Sequence, residues 1–542
     1  MEAEHAPAPG PAPSPARRLS PLADRLSPAL PPDRATSWWV TIAITVLGGI
    51  LRFWDLGRPR AVMFDETYYM KDALSLLRYG NERQFVDKAN ELILASDGDW
   101  RTIEVFKDGA AYVVHPPVGK WTIALGEYAF GLTPFGWRFM MALLGTLTVL
   151  LVVRITRRLT RSTLIGAAAG LFVAIDGMSI ALSRTALLDN TLTFWIVVAF
   201  GCILMDRERT RGRVAERVRA FADDHDALLA LRRGLGPRTG WHPWRWAAGF
   251  ALGMACGTKW SGVWFVVAFG LCLVIWDYGL RRTVGVNAGD AVAGALVGGL
   301  GAFVAIVGTA VVVYLVSWTG WILSDDGFYR DWASNNPASG VWTLVPDWLR
   351  SLWYYHGQAL NFHRGLSSPH SYQSNAWSWL LQTRPTSFFY QGTPDIPASA
   401  CGSDKCAAEV LALGNPIIWW AGAAALVHQA WRWAARRDWR SGYVVLALLA
   451  AWVPWLGFQG RTIFTFYSVA MAPFVCIALA MTLGSILGPS DADPRRRTIG
   501  ASVVGSIALL AVAAAWFFYP IWSAQTLPYD VWHLRMWFDT WV

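Results

Sequence analysis

The chain has 542 residues, is 54% hydrophobic and only 16% charged, and carries a formal net charge of +9. Soluble domains are roughly 25% charged, so the composition argues against a soluble globular protein. The basic residues lie mostly between hydrophobic stretches. The positive balance therefore sets orientation in a membrane rather than nucleic-acid binding. Thirty-three Trp fit this reading, because the indole ring is apolar and its N–H is satisfied at a bilayer interface.

Residues 1–35 are rich in Pro and Ala and cannot bury a core. They are expected to be a disordered cytoplasmic tail. No short charged, apolar and small-residue signal sequence opens the chain, so 38–54 is expected to be a retained anchor. From 36 to 518 the chain is expected to be one transmembrane body, all α-helical. A span needs about 20 apolar residues. Eleven stretches qualify approximately: 37–56, 134–154, 163–182, 187–205, 244–258, 260–277, 290–317, 415–433, 441–458, 463–487 and 498–518.

With eleven alternating spans, the basic runs RITRRLTR, RERTRGR, LRR near 280, RWAARRDWR and PRRR all fall on one side. The positive-inside rule makes that side cytoplasmic and puts the N-terminus there. The loops 57–133 and 318–414 and the Trp-rich tail 519–542 are then extracytoplasmic. In the first loop, Tyr69, Ala73, Leu76 and Leu77 share a helical stripe opposite Lys71, Asp72, Ser75 and Arg78. This predicts an amphipathic surface helix stopped by Gly80. Trp348, Leu352 and Tyr355 form a similar stripe in the second loop. Within the basic cytoplasmic loop 206–243, about 206–236 reads as an amphipathic helix resting on anionic membrane lipid. No internal repeat of the transporter kind is present.

Cys202, Cys256, Cys272 and Cys476 lie in apolar stretches and are expected to be small buried residues. Cys401 and Cys406 lie in a polar loop, close enough for a disulfide in an oxidising compartment.

Charges at outward span ends are costly unless used or paired. Several gather on the outer side of this topology. Asp65 and Glu66 follow the first span in MFDETYY. His115 and Lys120 close the first loop in HPPVGKW. Arg138 enters the second span, Arg184 and Asp189 flank the turn after the third, and Lys259 and Arg461 sit between later spans. Each has a plain alternative. Asp-Glu is usually a solvated pair, HPP a rigid turn, and an interfacial Arg a snorkelling side chain. Together they describe a cavity of mixed charge. Such a cavity suits a hydroxyl nucleophile that must lose a proton and an anionic phosphate that must leave.

The segments MFDETYY, HPPVGKW, WRFMMALLGT, SRTALLDN, GTKWSG, LGNPIIWW, FTFYSVAMAPF and RMWFDTWV resemble, in order from about residue 40 to the end, the protein O-mannosyltransferase family of the GT-C superfamily. The resemblance implies a GT-C fold of eleven spans. It implies an inverting transfer of mannose from a polyprenyl- or dolichyl-phosphate carrier to Ser or Thr of a protein crossing the membrane. It makes Asp65 the base with Glu66 beside it, and places Arg138 at the donor phosphate. Lys259, Arg184 and Arg461 would assist at the phosphate. His115, Lys120 and Asp189 would shape the acceptor site. The second large loop lacks the soluble repeat domain of eukaryotic members, so the chain resembles a bacterial, actinobacterial-like member using polyprenyl-phosphate-mannose. Its acceptors would be exported Ser/Thr proteins met at the secretion translocon in the plasma membrane. No cofactor is required by this reading; a divalent metal held by Asp65 and the phosphate stays open. The rival readings are a related GT-C enzyme with a lipid or glycan acceptor, and a transporter. Charges clustered at span ends argue against the transporter.

Overall fold

The computed structural model describes residues 22–221, 224–489 and 491–542. Every expected span position is helical. Among the described residues, seven helices are long and apolar enough to cross a membrane: Arg34–Phe53, Pro134–Thr160, Leu188–Ala220, Trp260–Val284, Ala288–Ser317, Trp439–Leu456 and Pro494–Trp522. Thr163–Ala174 and Gly177–Ser183 make an eighth only as a pair bent by 57°. Pro243–Cys256 has 14 residues, Ala472–Leu487 has 16, and Pro416–Arg436 carries a basic last turn. These three do not reach the same standard, so among the described residues length and composition alone qualify seven, or eight with the bent pair, of the eleven expected spans.

The bent pair is the structural centre. The chain breaks between Ala174 and Gly177, so carbonyls at the first helix's end lose their helical donors. Arg52, fully buried at the end of Arg34–Phe53, replaces those donors. It donates to the carbonyls of Val173 (3.0 Å) and Ala174 (3.2 Å) and to the hydroxyls of Ser179 (2.8 Å) and Ser183 (3.2 Å). Asp176 caps the second half by accepting from the Ser179 N–H at 2.9 Å. The same carboxylate accepts from the Asn415 N–H and the Trp419 indole at 3.0 and 2.8 Å. The LGNP segment is therefore a structural lock. Asn415 caps Pro416–Arg436 and also donates to the Ala511 carbonyl at 2.8 Å.

The first large loop folds onto this body. Its helix Glu66–Tyr79 ends where expected, at Gly80 with φ +78°, a left-handed conformation natural to glycine. It is not a half-exposed surface helix. Asp72 and Ser75, expected on the polar face, are buried with Tyr69, Ala73 and Leu76, because Val118–Phe130 packs across it. A short antiparallel pair, β1 (Arg83–Phe85) and β2 (Phe106–Ala110), closes the loop. In the second loop Leu352 and Tyr355 pack on Trp318 and Trp321, as their stripe predicts. That loop also holds β3 (Thr386–Gly392) and β4 (Cys406–Ala412), joined antiparallel by β5 (Leu527–Pro528) from the tail. The tail is thus part of the fold. Trp522, Trp532 and Trp541 are buried, and the Trp532 indole donates to Glu409 at 2.7 Å.

Two further expectations change at the opposite end. Within 22–35, expected to be disordered, a short helical segment packs on the body. Ala23 and Leu26 are buried against Val214, Val218 and Leu280. Residues 1–21 lie outside the described residues. The separate helix expected over 206–236 is instead the continuation of Leu188–Ala220, followed by a short turn at His225–Ala230.

Cys401 and Cys406 are bridged, with Cα atoms 5.8 Å apart. Cys202, Cys272 and Cys476 are buried free thiols. Alkylation of native membranes without reductant is expected to leave all five unlabelled. Denaturation should then expose the three thiols, and Cys401 and Cys406 should label only after reduction. Labelling of Cys401 and Cys406 before reduction would contradict the bridge.

Candidate active site

The site begins with the adjacent carboxylates Asp65 and Glu66, which the structure separates completely. Glu66 points inward. Arg138, from Pro134–Thr160, meets it through two parallel hydrogen bonds, Nε to Oε1 at 2.8 Å and Nη2 to Oε2 at 2.9 Å. The remaining guanidinium donors serve the loop carbonyls of Pro59 (2.9 Å) and Ala61 (2.7 Å). The carboxylate also accepts the N–H groups of Met63 and Ala186, each at 2.9 Å. Both side chains are wholly buried. A buried pair repays its desolvation only when the other lone pairs and protons are satisfied, and here they are.

Pinning Glu66 fixes the turn before it. Phe64 sits at φ +44°, unusual for a non-glycine residue. Its ring lies among Phe388, Phe464 and Phe466, with centroids 5.1, 6.0 and 5.6 Å away. Asp65 follows at the helix N-cap, yet its carboxylate makes no capping hydrogen bond. It is free for other work. Burial pushes its pKa up to about 6; the neighbouring Lys259 ammonium opposes that shift and the Asp189 carboxylate adds to it.

Beside Asp65 lies a cavity of about 330 Å³ lined by His115, Asp189, Lys259, His363, Arg461 and Tyr467, with an apolar wall including Trp455 and Phe458. Sequence-distant segments meet here through close packing. The Val118 N–H donates to the Gly257 carbonyl at 2.9 Å, tying HPPVGKW to GTKWSG. A Cβ at Gly119 would stand 2.6 Å from the Leu188 side chain, next to Asp189. Lys259 Nζ donates to Asp189 at 2.7 Å and lies 5.0 Å over the Tyr467 ring.

Arg461 has no carboxylate partner among the described residues, and its buried Nε has no acceptor. Its Nη2 lies 3.3 Å from His363 Nδ1, while His363 Nε2 faces the Val114 carbonyl at 3.1 Å. The tautomer that satisfies both contacts is neutral, with the proton on Nε2. Burial lowers the His363 pKa, consistent with that tautomer. His115, 5.3 Å from His363 between ring centroids, is pushed well down by burial and then by nearby cations, Lys259 foremost. Two neutral imidazoles thus flank two cations.

Of the residues expected at the site, His115, Asp189, Lys259 and Arg461 line the cavity, and Asp65 lies within electrostatic reach of Lys259 and Asp189. Five, Asp65 among them, do not line it. Glu66 and Arg138 satisfy each other. Arg184 is buried and donates to the carbonyls of Arg52, Trp54 and Asp55, at 3.0, 2.7 and 3.0 Å, at the end of the first span. Lys120 is buried in an ion pair with Glu82. Arg138 is fully engaged by Glu66 and the loop carbonyls, whereas Arg184 keeps one buried donor, its Nε, without a partner among the described residues. His363 was missed because a lone His in a long loop carries no spacing signal. Tyr467 stood inside FTFYSVAMAPF without a role.

Two family models match the chain. One, dolichyl-phosphate-mannose-protein mannosyltransferase, covers residues 42–218. The other, the C-terminal four-transmembrane region of protein-O-mannosyltransferase, covers residues 348–541. The chain belongs to this family of membrane-embedded glycosyltransferases, and its fold is GT-C. It is 36% identical to a polyprenol-phosphate-mannose–protein mannosyltransferase of Mycobacterium tuberculosis, over 94% of this chain and 93% of that one. It is 31% identical to the protein of the same description from Corynebacterium glutamicum, over 93% of each. The solved Saccharomyces cerevisiae Pmt1-Pmt2 complex bound to the sugar donor shares the fold. Its TM-score is 0.69 at 14% identity, covering 96% of this chain and 94% of that chain.

Glu66→Gln should leave Arg138 as an uncompensated buried charge and cost about 3–5 kcal/mol. Thermal unfolding of the purified protein in detergent checks this. An unchanged midpoint would contradict the role given to the pair.

Proposed function

We propose that this cavity transfers mannose from polyprenyl-phosphate-mannose to Ser or Thr hydroxyls of exported proteins, with inversion at the anomeric carbon. The observation that carries the reading is Asp65. It is a half-buried carboxylate, free of capping, with its pKa pushed up to about 6, beside a cavity holding Lys259 and Arg461.

The acceptor hydroxyl hydrogen-bonds to the Asp65 carboxylate. Its oxygen attacks the anomeric carbon of the β-linked mannose as its proton passes to Asp65. The bond from that carbon to the phosphate oxygen breaks, and the electron pair leaves with polyprenyl phosphate. The product is an α-mannosyl protein. Lys259, steadied by Asp189, and Arg461, steadied by His363, take up the charge that grows on the phosphate. A raised carboxylate pKa suits a general base working near neutrality. The apolar wall of Trp455 and Phe458 meets the start of the lipid chain.

The site faces the outside of the plasma membrane and the N-terminus the cytoplasm. Supporting this, Arg207 lies ~27 Å beyond Asp189 on one continuous helix at 1.5 Å per residue, which is close to the hydrocarbon thickness. The basic loops belong to that far end, as the positive-inside rule requires. A base half-buried beside a cavity is reached by an extended chain rather than a folded surface, which fits acceptors arriving from the secretion translocon.

Transfer of labelled mannose from polyprenyl-phosphate-mannose to a Thr-rich peptide tests the proposal. Asp65→Asn should keep donor binding and lose turnover by about 10²–10⁴-fold. Equal transfer by both proteins would overturn the role of Asp65.

The base works only when ionised. In the wild type, transfer should therefore fall about tenfold per pH unit below about 6. Lys259 holds the Asp65 pKa down, so Lys259→Met should move this limb of the residual activity to higher pH. A limb that stays in place would contradict the coupling.

A further inference from the structure

A second cavity, of about 590 Å³, lies at the end of the molecule away from Asp65. Five arginines line it, Arg25, Arg161, Arg207, Arg211 and Arg440, with one carboxylate, Glu208. That carboxylate is already paired with Arg158. The cavity is therefore strongly electropositive. Among the described residues, the buried Nε atoms of Arg207 and Arg440 have no hydrogen-bond partner. Buried guanidinium donors without acceptors are costly, and here they border an open space. Arg207 is fixed in direction by the Trp439 ring, 3.3 Å from its guanidinium carbon. The roof is the N-terminal segment. Arg161 donates to the Pro28 carbonyl, and Arg157 donates to Pro31 O (3.2 Å) and Asp33 Oδ1 (2.6 Å). Leu26, Leu30 and Trp439 make the apolar part of the lining.

We propose that this cavity is a binding site for a phosphate-bearing anion, whose oxygens complete the arginine donors. Arginine forks match phosphate geometry. The volume exceeds what a lone phosphate fills, and the apolar roof adjoins the basic residues. Both favour the headgroup of an anionic phospholipid from the leaflet at this end, with free phosphate as the other source of the same chemistry. Two basic residues of the segment expected to rest on lipid over 206–236, Arg207 and Arg211, face this cavity.

Native mass spectrometry of the full-length, delipidated protein in neutral detergent tests the proposal. The probes are a short-chain phosphatidylglycerol and, separately, inorganic phosphate. One saturable phosphatidylglycerol is expected, weakened tenfold or more by Arg207→Gln and by Arg211→Gln. Arg211 stacks on no ring, so its variant guards against misfolding, with an unchanged unfolding midpoint as the control. Saturable inorganic phosphate that displaces the lipid at equal occupancy would support the site and assign it to the soluble anion. Binding of neither probe, or binding indifferent to both substitutions in folded protein, would overturn it.

Discussion

The buried pair of Glu66 and Arg138 is the constraint on which the catalytic arrangement depends. Removing two charges from water is repaid only when geometry and additional hydrogen bonds are nearly complete. Here the guanidinium joins a carboxylate to two loop carbonyls, and the carboxylate gathers two backbone N–H groups from separate segments. The pair thereby fastens the loop after the first span to the second span and to the turn after the bent helix. The consequence falls one residue earlier. Because Glu66 is held inward and Phe64 is wedged among aromatic rings, Asp65 is held at the cavity with its carboxylate uncommitted.

The cavity's charge pattern complements that freedom. Lys259 is paired with Asp189, which fixes its ammonium in place. Arg461 leans on a neutral imidazole rather than a carboxylate, so its charge stays available to an incoming anion. A carboxylate partner there would compete with phosphate. Burial acts in opposite senses on the two kinds of group: it raises Asp65 toward neutrality and keeps His115 and His363 uncharged. One base and two cations can then share the site, with Asp189 balancing the second cation.

Much of this was legible in the sequence. Hydrophobic length placed a helix at every expected span, and Gly80 marked the end of the first-loop helix. The segments around Asp65, His115, Asp189, Lys259 and Arg461 identified residues that do converge. What one chain could not give was direction. Asp65 and Glu66 are adjacent and chemically alike, yet one feels the charges of Lys259 and Asp189 and the other holds the loop, because a helix start turns successive side chains to different sides. Arg138 and Arg184 reach the same end of the bundle as Lys259, but most of their donors close on a carboxylate and carbonyls that only folding brings near. The same blindness hid Asn415 and Asp176 as a lock on the bent helix. It also made the basic run after 206 look like a lipid-resting surface helix, when the folded chain continues the preceding span and turns Arg207 and Arg211 toward a cavity.

The most direct test is the structure of the protein with an unreactive polyprenyl-phosphate-mannose analogue bound. The account predicts phosphate oxygens within hydrogen-bond distance of Arg461 and Lys259, and the anomeric carbon facing Asp65. Glu66 and Arg138 would remain joined. A phosphate held by Arg138, with the pair to Glu66 broken, would contradict it.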